Sequence, residues 1–212
     1  MSRKLFWEDP YMKTAKVQVV SIDGTDVVVD KTIFFAFSGG QADDYGSVGG
    51  IKLSGLRVEG DDIVHVLERE ADFSVGDEVE LALDWDRRYR IMKLHSAAHI
   101  VYFFAVDLIG QKELIGSNVD VSKSRIDFVM DSSIGEYLPE IERLSNEFIA
   151  GNREIVTQDD EDNSGRRIWV CDDMSMPCGG THVKNTQEIG VLRLKRKNIG
   201  AGKERVEVML NE

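Results

Sequence analysis

Cysteine and proline are scarce in this chain of 212 residues, with two and three copies, and histidine occurs only four times. Two thiols, Cys171 and Cys178, cannot build the cross-linked framework by which small secreted scaffolds replace a core. A reducing compartment, the cytoplasm, is expected, and a Cys171–Cys178 disulfide stays open as the alternative. No N-terminal apolar run reaches the length of a signal peptide or a membrane span, so no membrane partner is expected. Positive charge is also in short supply: 26 Lys and Arg face 38 Asp and Glu, a formal net charge of −12. That balance excludes a grip on nucleic acid over the whole surface, because phosphates would be repelled at long range. Local basic patches remain, at Arg87, Arg88, Arg90 and Lys93 and at Lys195, Arg196, Lys197, Lys203 and Arg205; either run also reads as solvated charge on a helix or strand.

What is present is an ordinary globular composition, 42% hydrophobic and 30% charged, long enough for one medium and one small domain. From Lys16 to Leu83 short apolar runs alternate with turn chemistry: Val17–Ile22, Val27–Asp30, Thr32–Phe35, Ile51–Leu53, Gly55–Glu59, Ile63–Leu67 and Val79–Leu83. Strands at that spacing predict a small β-barrel over residues 1–85. The period then changes. Ile91, Leu94, Ala98, Val101, Ala105 and Leu108 recur at helical spacing over Arg87–Ile109, with Asp86 as the expected cap and Gly110 as the stop. A second helix is expected over Tyr137–Ala150, Pro139 in its first turn, burying Ile141, Leu144 and Phe148. Strands are expected at Arg125–Met130, Glu154–Gln158, Arg167–Cys171, Gly190–Arg196 and Arg205–Leu210. The connections are too short for crossovers. The fold class is therefore α+β: the N-terminal barrel, then an α/β domain over residues 86–212 with an antiparallel sheet and two main helices.

Chemistry concentrates in two pairs. His95 and His99 lie four apart on one face of the first helix, where two imidazoles can share an ion. Alone, that spacing fits two satisfied core histidines equally well. Pro177-Cys178-Gly179-Gly180-Thr181-His182 sets a thiol and an imidazole four apart around two glycines, whose permissive dihedrals would let a loop fold both side chains onto one point; a Gly-Gly turn with a buried cysteine and a surface histidine is the plainer reading. Three of four histidines and one of two cysteines thus fall into two matched pairs, a borderline-soft tetrahedral set that favours one zinc ion over magnesium or calcium. Four protein ligands normally mark a closed, structural zinc site. His65, in the strand Ile63–Leu67, has no such partner and reads as an ordinary strand histidine.

In order and spacing these segments resemble the editing domain shared by alanyl-tRNA synthetases and free-standing AlaX-type proteins, and more distantly by threonyl-tRNA synthetases. The matching residues are Asp84-Trp85-Asp86-Arg87-Arg88-Tyr89-Arg90 leading into His95-Ser96-Ala97-Ala98-His99, then Gly116-Ser117, Arg125-Ile126-Asp127-Phe128 and Cys178-Gly179-Gly180-Thr181-His182-Val183. Thr186, Ile189-Gly190 and Gly200-Ala201-Gly202-Lys203-Glu204-Arg205-Val206-Glu207 continue the match. Phe34-Phe35-Ala36-Phe37-Ser38-Gly39-Gly40-Gln41, followed by Asp44-Tyr45-Gly46, is similar to the family's glycine-rich segment, so most of the chain is covered.

The resemblance implies a trans-editing hydrolase acting on mischarged tRNA(Ala), chiefly Ser-tRNA(Ala) and also Gly-tRNA(Ala). An alanine pocket excludes neither a side chain that adds a hydroxyl nor a smaller one, so a second site must remove the error. It assigns zinc to His95, His99, Cys178 and His182, catalysis to Thr181 with Gly179 and Gly180, and substrate contacts to Ser96, Gly39, Gly40, Gln41, Arg87 and Arg88. Many members carry threonine just before the second histidine, where its hydroxyl can sense serine; this chain has Ala98. Nothing resembles an aminoacylating half. The alternative is a non-catalytic zinc-stabilised RNA-binding module, and monomer and homodimer both stay open.

Overall fold

The computed structural model describes residues 2–163, 165–200 and 202–211; Ala201 of the C-terminal motif lies outside them. The fold is mixed α+β. The chain divides into two compact units, Met1–Ser38 with Ala42–Tyr89, and Gly39–Gln41 with Arg90–Glu212.

In the first unit, β1 (Arg3–Lys4) and the single turn α1 (Leu5–Glu8) precede β2 (Thr14–Asp23), whose Val17 and Val19 turn inward. Strands β3 (Asp26–Val29), β4 (Lys31–Thr32), β5 (Gly46–Val48), β6 (Ile51–Glu59), β7 (Asp62–Leu67) and β8 (Glu78–Leu83) follow. Pairing runs β2-β3-β7-β6-β5-β8 and returns to β2, so the six strands close a ring. Val17, Val19, Val27, Val29, Ile33, Phe34, Leu67 and Leu81 are among the buried residues of its core. The strand expected over Thr32–Phe35 shrinks to β4, because side chains take the next backbone donors: Phe34 N–H binds Thr32 Oγ1 at 3.1 Å and Phe35 N–H binds Asp44 Oδ2 at 2.6 Å. The two strands expected between residues 51 and 59 are one strand with a register shift between Leu53 and Gly55. His65 is a satisfied core histidine, with Nε2 2.8 Å from Thr32 Oγ1 and Nδ1 3.2 Å from the Val27 carbonyl.

The long helix α2 (Trp85–Ile109) starts two residues earlier than its apolar period implies. Asp84, not Asp86, caps it: Asp84 Oδ1 accepts the Arg87 N–H at 3.1 Å, the bond an N-cap makes to the third helical residue. Gly110, at φ +73°, ends it. Arg88 is also corrected. Expected at the surface with Arg87, it is fully buried, its guanidinium bound to both Asp44 carboxylate oxygens and to the carbonyls of Ile33 and Pro10. An arginine so saturated holds the first unit together and offers phosphates nothing.

Within the second unit α2 carries Ile91, Met92, Leu94, Ala97, Ile100, Val101 and Ala105, all with no exposed surface, so it is a core helix apolar on nearly every side. It is long and apolar enough to cross a bilayer, yet most of that stretch is buried inside the protein. Beside it lies an antiparallel sheet made of β9 (Leu114–Val119), β10 (Ser124–Val129), β14 (Leu192–Asn198) and β15 (Lys203–Leu210), in the order β14-β15-β10-β9. Ser124 Oγ donates to the Leu94 carbonyl and ties sheet to helix. A three-stranded sheet, β11 (Val156–Asp159), β12 (Arg167–Cys171) and β13 (Met174–Pro177), completes the strands. The strand expected from Glu154 starts at Val156, because Ile155 N–H is taken by the Lys184 carbonyl. Helix α3 (Leu138–Ala150) has Pro139 in its first turn. Its buried stripe is Ile141, Ser145 and Ile149, not Ile141, Leu144 and Phe148. Phe148 instead sits half-buried, edge-on to Phe104, under the Arg153 guanidinium.

Candidate metal centre

Helical geometry stacks His95 and His99 one turn apart, ring centroids 4.8 Å from each other. The second pair arrives on the segment after β13. Cys178 N–H still binds the Arg167 carbonyl at 2.8 Å, so the thiol is placed by the last rung of the β12–β13 ladder. Five residues on, Val183 N–H donates to Ser96 Oγ of α2 at 3.2 Å and clamps His182 against the helix. One donor atom from each of His95, His99, Cys178 and His182 lies within 4.8 Å of the others. Cys178 Sγ is 3.5 Å from His95 Nε2 and 3.2 Å from His182 Nε2.

The outer nitrogens are held so that the inner ones are free. His95 Nδ1 is 2.8 Å from Gln41 Oε1, an acceptor only, so Nδ1 carries the proton and the Nε2 lone pair faces the cluster. His182 Nδ1 is 3.4 Å from Ser96 Oγ, which leaves its Nε2 inward as well. His99 Nε2 is buried with no protein partner at all. An orphaned ring nitrogen costs about 1–3 kcal/mol unless something binds it. Burial keeps the three imidazoles neutral: His95 is lowered to about 4, and His99 and His182 well below the usual value, in each case chiefly by desolvation. Burial likewise pushes the Cys178 thiol up to about 11, against a smaller lowering from the Gly180 backbone N–H. Three neutral imidazoles and a thiol around one point, one nitrogen waiting for a partner, can hold a soft divalent cation, which would also release the thiol proton.

Gly180 is needed for space. A Cβ there would stand 2.4 Å from His95 Cε1 and 2.5 Å from Gln41 Oε1. The permissive dihedral expected of it is not used, since its φ is not positive. Gly40 is needed on both counts, at φ +85° with a Cβ only 2.6 Å from the Ser117 carbonyl oxygen. That closeness lets the Gly40 carbonyl accept the Val119 N–H at 2.8 Å and the Asn118 side-chain N–H at 3.0 Å, so Gly39–Gln41 borders the β9 edge of the sheet.

A cavity of ≈ 60 Å³ opens against His95 and His99, walled by Ala98, Tyr102, Leu114, Val119, Ile126 and Met176, with Gly39 and Ser117 also on its lining. At roughly 10–15 Å³ per water it has room for about four to six waters, a small acyl group and not a large one. Among the expected site residues, Gly39 reaches this cavity. Gln41 does not present its amide: it is buried, accepting the Thr181 N–H at 2.9 Å and donating to Thr181 Oγ1 at 3.0 Å. Ser96, expected to touch substrate, is buried behind His182 and Val183 and positions them instead. Thr181 is buried too, its N–H committed to Gln41 and its hydroxyl left with a proton to donate. Gly179 is exposed. Arg87 lies in the first unit, stacked 3.9 Å over the Tyr45 ring, its Nε donating to the Asp43 carbonyl. Cys171 is buried and, like Cys178, free, so the alternative disulfide is not formed. Ser117, Tyr102 and Met176 carry no separate signal in the sequence beyond the Gly116-Ser117 match. Trp169 is equally silent there, yet its fully buried ring lies 4.9 Å from His99.

A His₃Cys cluster that could hold a metal ion, beside a small cavity, marks this α+β unit, and its sequence is that of a known class. Residues 155–207 match the family described as "Threonyl and Alanyl tRNA synthetase second additional domain". The chain belongs to the AlaX-type alanyl-tRNA editing protein family. It is 37% identical over 214 residues to the alanyl-tRNA editing protein AlaX-M of Pyrococcus horikoshii, covering 99% of this chain and 98% of that one. It is also similar to alanine–tRNA ligases, 34% identical over 231 residues in Pyrobaculum aerophilum and 31% over 225 in Methanococcus maripaludis, spanning 92% and 96% of this chain and 25% of each ligase.

Proposed function

We propose that the protein is a zinc-dependent aminoacyl-tRNA deacylase that clears mischarged tRNA(Ala) in trans, chiefly Ser-tRNA(Ala) and also Gly-tRNA(Ala). The observation that carries this is the ≈ 60 Å³ cavity walled by His95 and His99, the first two residues of the four-donor cluster, in a chain similar over nearly its whole length to a protein named for alanyl-tRNA editing. The division into a supporting unit over residues 1–85 and an editing unit over residues 86–212, and a cytoplasmic setting, belong to the same reading.

His95, His99, Cys178 and His182 would hold one zinc ion, and the orphaned His99 Nε2 is what fits them to it. Bound there, zinc supplies a positive charge that orients the polar groups of the ester. The chain's residues do the rest. Ala98, Val119, Ile126 and Met176 enclose the acyl side chain and limit its size. The Ser117 hydroxyl on that lining can bond the extra hydroxyl of serine, while glycine is admitted by size. Water adds to the ester carbonyl, the bond to the ribose oxygen breaks, and that oxygen takes the proton. Gln41 and Thr181 keep His95 and the 178–182 segment in register while this happens.

Incubation of the purified protein with seryl-, glycyl- and alanyl-tRNA(Ala), with and without Cys178→Ala, tests the proposal. Release of serine by the wild type and not by a folded Cys178→Ala variant is expected. No release of serine or glycine by folded, zinc-loaded protein would leave the second reading, a non-catalytic RNA-binding module, which the four-ligand set favours.

A further inference from the structure

The sheet β14-β15-β10-β9 has two chemically opposite faces. Because side chains alternate along a strand, Leu192, Leu194, Val206, Val208, Ser124, Ile126 and Phe128 share one face, and all are buried. The register sets Arg193, Lys195 and Lys197 of β14 beside Met209, Glu207 and Arg205 of β15, and Arg125 and Asp127 of β10 beside Glu207 and Arg205. Lys203 ends the β15 row. This outward face therefore gathers six basic strand residues against two acids, in a molecule whose formal net charge is −12.

Both acids are already committed. Asp127 is held by the Arg205 guanidinium in two bonds of 2.6 and 2.7 Å, and Glu207 by Lys123 at 2.6 Å. Arg193, Lys195, Lys197 and Lys203 are exposed, and none forms an ion pair among the described residues. A second feature points the same way. Arg125, in the middle strand of the patch between Asn118 and Glu207, has a buried Nε with no hydrogen-bond partner. A half-buried guanidinium without a carboxylate is a planar donor fork awaiting an anion. The excess charge lies in rows about 4.8 Å apart, with like-facing residues about 6.6 Å apart along each row, a spread suited to an extended polyanion rather than to one small ion.

We propose that this outer sheet face, centred on Arg125 with Arg193, Lys195, Lys197 and Lys203, is where the protein grips the phosphate backbone of its RNA substrate. The inference rests on the deacylase reading for the identity of the RNA. The same sheet then serves two ends: its inner face lines the acyl cavity through Val119 and Ile126, and its outer face holds the polyanion that the molecule otherwise repels.

The test is binding of 5′-labelled uncharged tRNA(Ala) to the full-length protein by fluorescence anisotropy across a salt series. The wild type is compared with the triple variant Arg193→Glu, Lys195→Glu, Lys197→Glu, all at exposed positions, and with Arg125→Gln. The triple variant, at wild-type Tm, should bind at least tenfold more weakly near 0.1 M salt. Its slope of log K against log salt should be smaller by about two to three, since each phosphate left without its cation removes roughly 0.7–0.9 from the slope. Unchanged affinity and slope in the folded triple variant overturn the proposal, as does triple-variant loss confined to phosphatidylserine vesicles, which would give the face to a lipid surface. Serine release by the wild type, run alongside, separates the cases: release with an unaltered triple variant sinks the face alone, and no release sinks the deacylase reading.

Discussion

Gln41 shows how much one side chain organises. Its amide accepts from His95 and from the Thr181 backbone and donates to the Thr181 hydroxyl, so it fixes the His95 tautomer whose Nε2 faces the cluster and the glycine segment together. Gln41→Leu should lower zinc affinity about 10–100-fold, as losses of such supporting partners do, read by chelator competition. Gly180→Ala should be harsher in fold: its Cβ meets His95 and Gln41 at 2.4 and 2.5 Å, and overpacking of that kind costs about 1–3 kcal/mol with a matching drop in bound zinc. The four donors of the cluster are legible in the sequence because two pairs, one four apart on a helix and one four apart on a glycine loop, recur together in an order that resembles a known family, where either spacing alone would be ambiguous. The roles of Ser96, Gln41 and Arg88 are not legible there. A hydroxyl, an amide and a guanidinium look the same in a motif whether they face a substrate or saturate the backbone behind it, and here the backbone claims all three.

Among the elements, α2 and α3 declare themselves through apolar period, proline and glycine, whereas β9 does not. Its residues Leu114, Ile115 and Ser117 are exposed, and a bulge opposite Asp127 and Phe128 breaks the alternation that marks a half-buried strand. What completes that edge is the Gly39–Gln41 segment, far off in sequence. Gly40→Ala, forced to positive φ and against the Ser117 carbonyl, should detach it. A loss of about 1–3 kcal/mol, and faster amide exchange at Val119, whose N–H binds Gly40, are the expected readouts. At the start of α2, Arg88→Met leaves the buried Asp44 carboxylate without its guanidinium. A destabilisation of about 3–5 kcal/mol in denaturant midpoint is expected, with no role of tRNA in the effect.

For the molecule as a whole, one separable share of its acid sensitivity comes from a histidine far in sequence from the four-donor cluster. His65 is held at about 4 in the fold by burial, against 6.5 when unfolded. Between those values the unfolded chain binds the extra proton. The His65 contribution to stability is therefore full above pH 6.5 and falls as pH drops, by about 2 kcal/mol at pH 5 and about 3 below pH 4. His65→Asn should make the dependence of Tm on pH between 7 and 5 shallower without abolishing it, since His95, His99 and His182 are lowered by burial as well; an unaltered slope would show that His65 carries no share of it. Charge is the other property of this scale. The −12 balance is legible from composition, and Lys195, Lys197, Lys203 and Arg205 already read as a basic run; that Arg193 and Arg125 join them on one face, while Arg196 does not, is not legible, because the face is built from three strands whose register only the fold reveals.

The second unit is not one stretch of sequence: it takes Gly39, Gly40 and Gln41 from within the residues of the first. A gene fragment beginning at the long helix would encode every donor atom of the cluster and still lack the tripeptide that seats His95, fills the β9 edge and fastens Thr181. Transplanting the chemistry into another protein therefore requires both halves of the reading frame, and any recombination that separates them delivers a cluster without its scaffold.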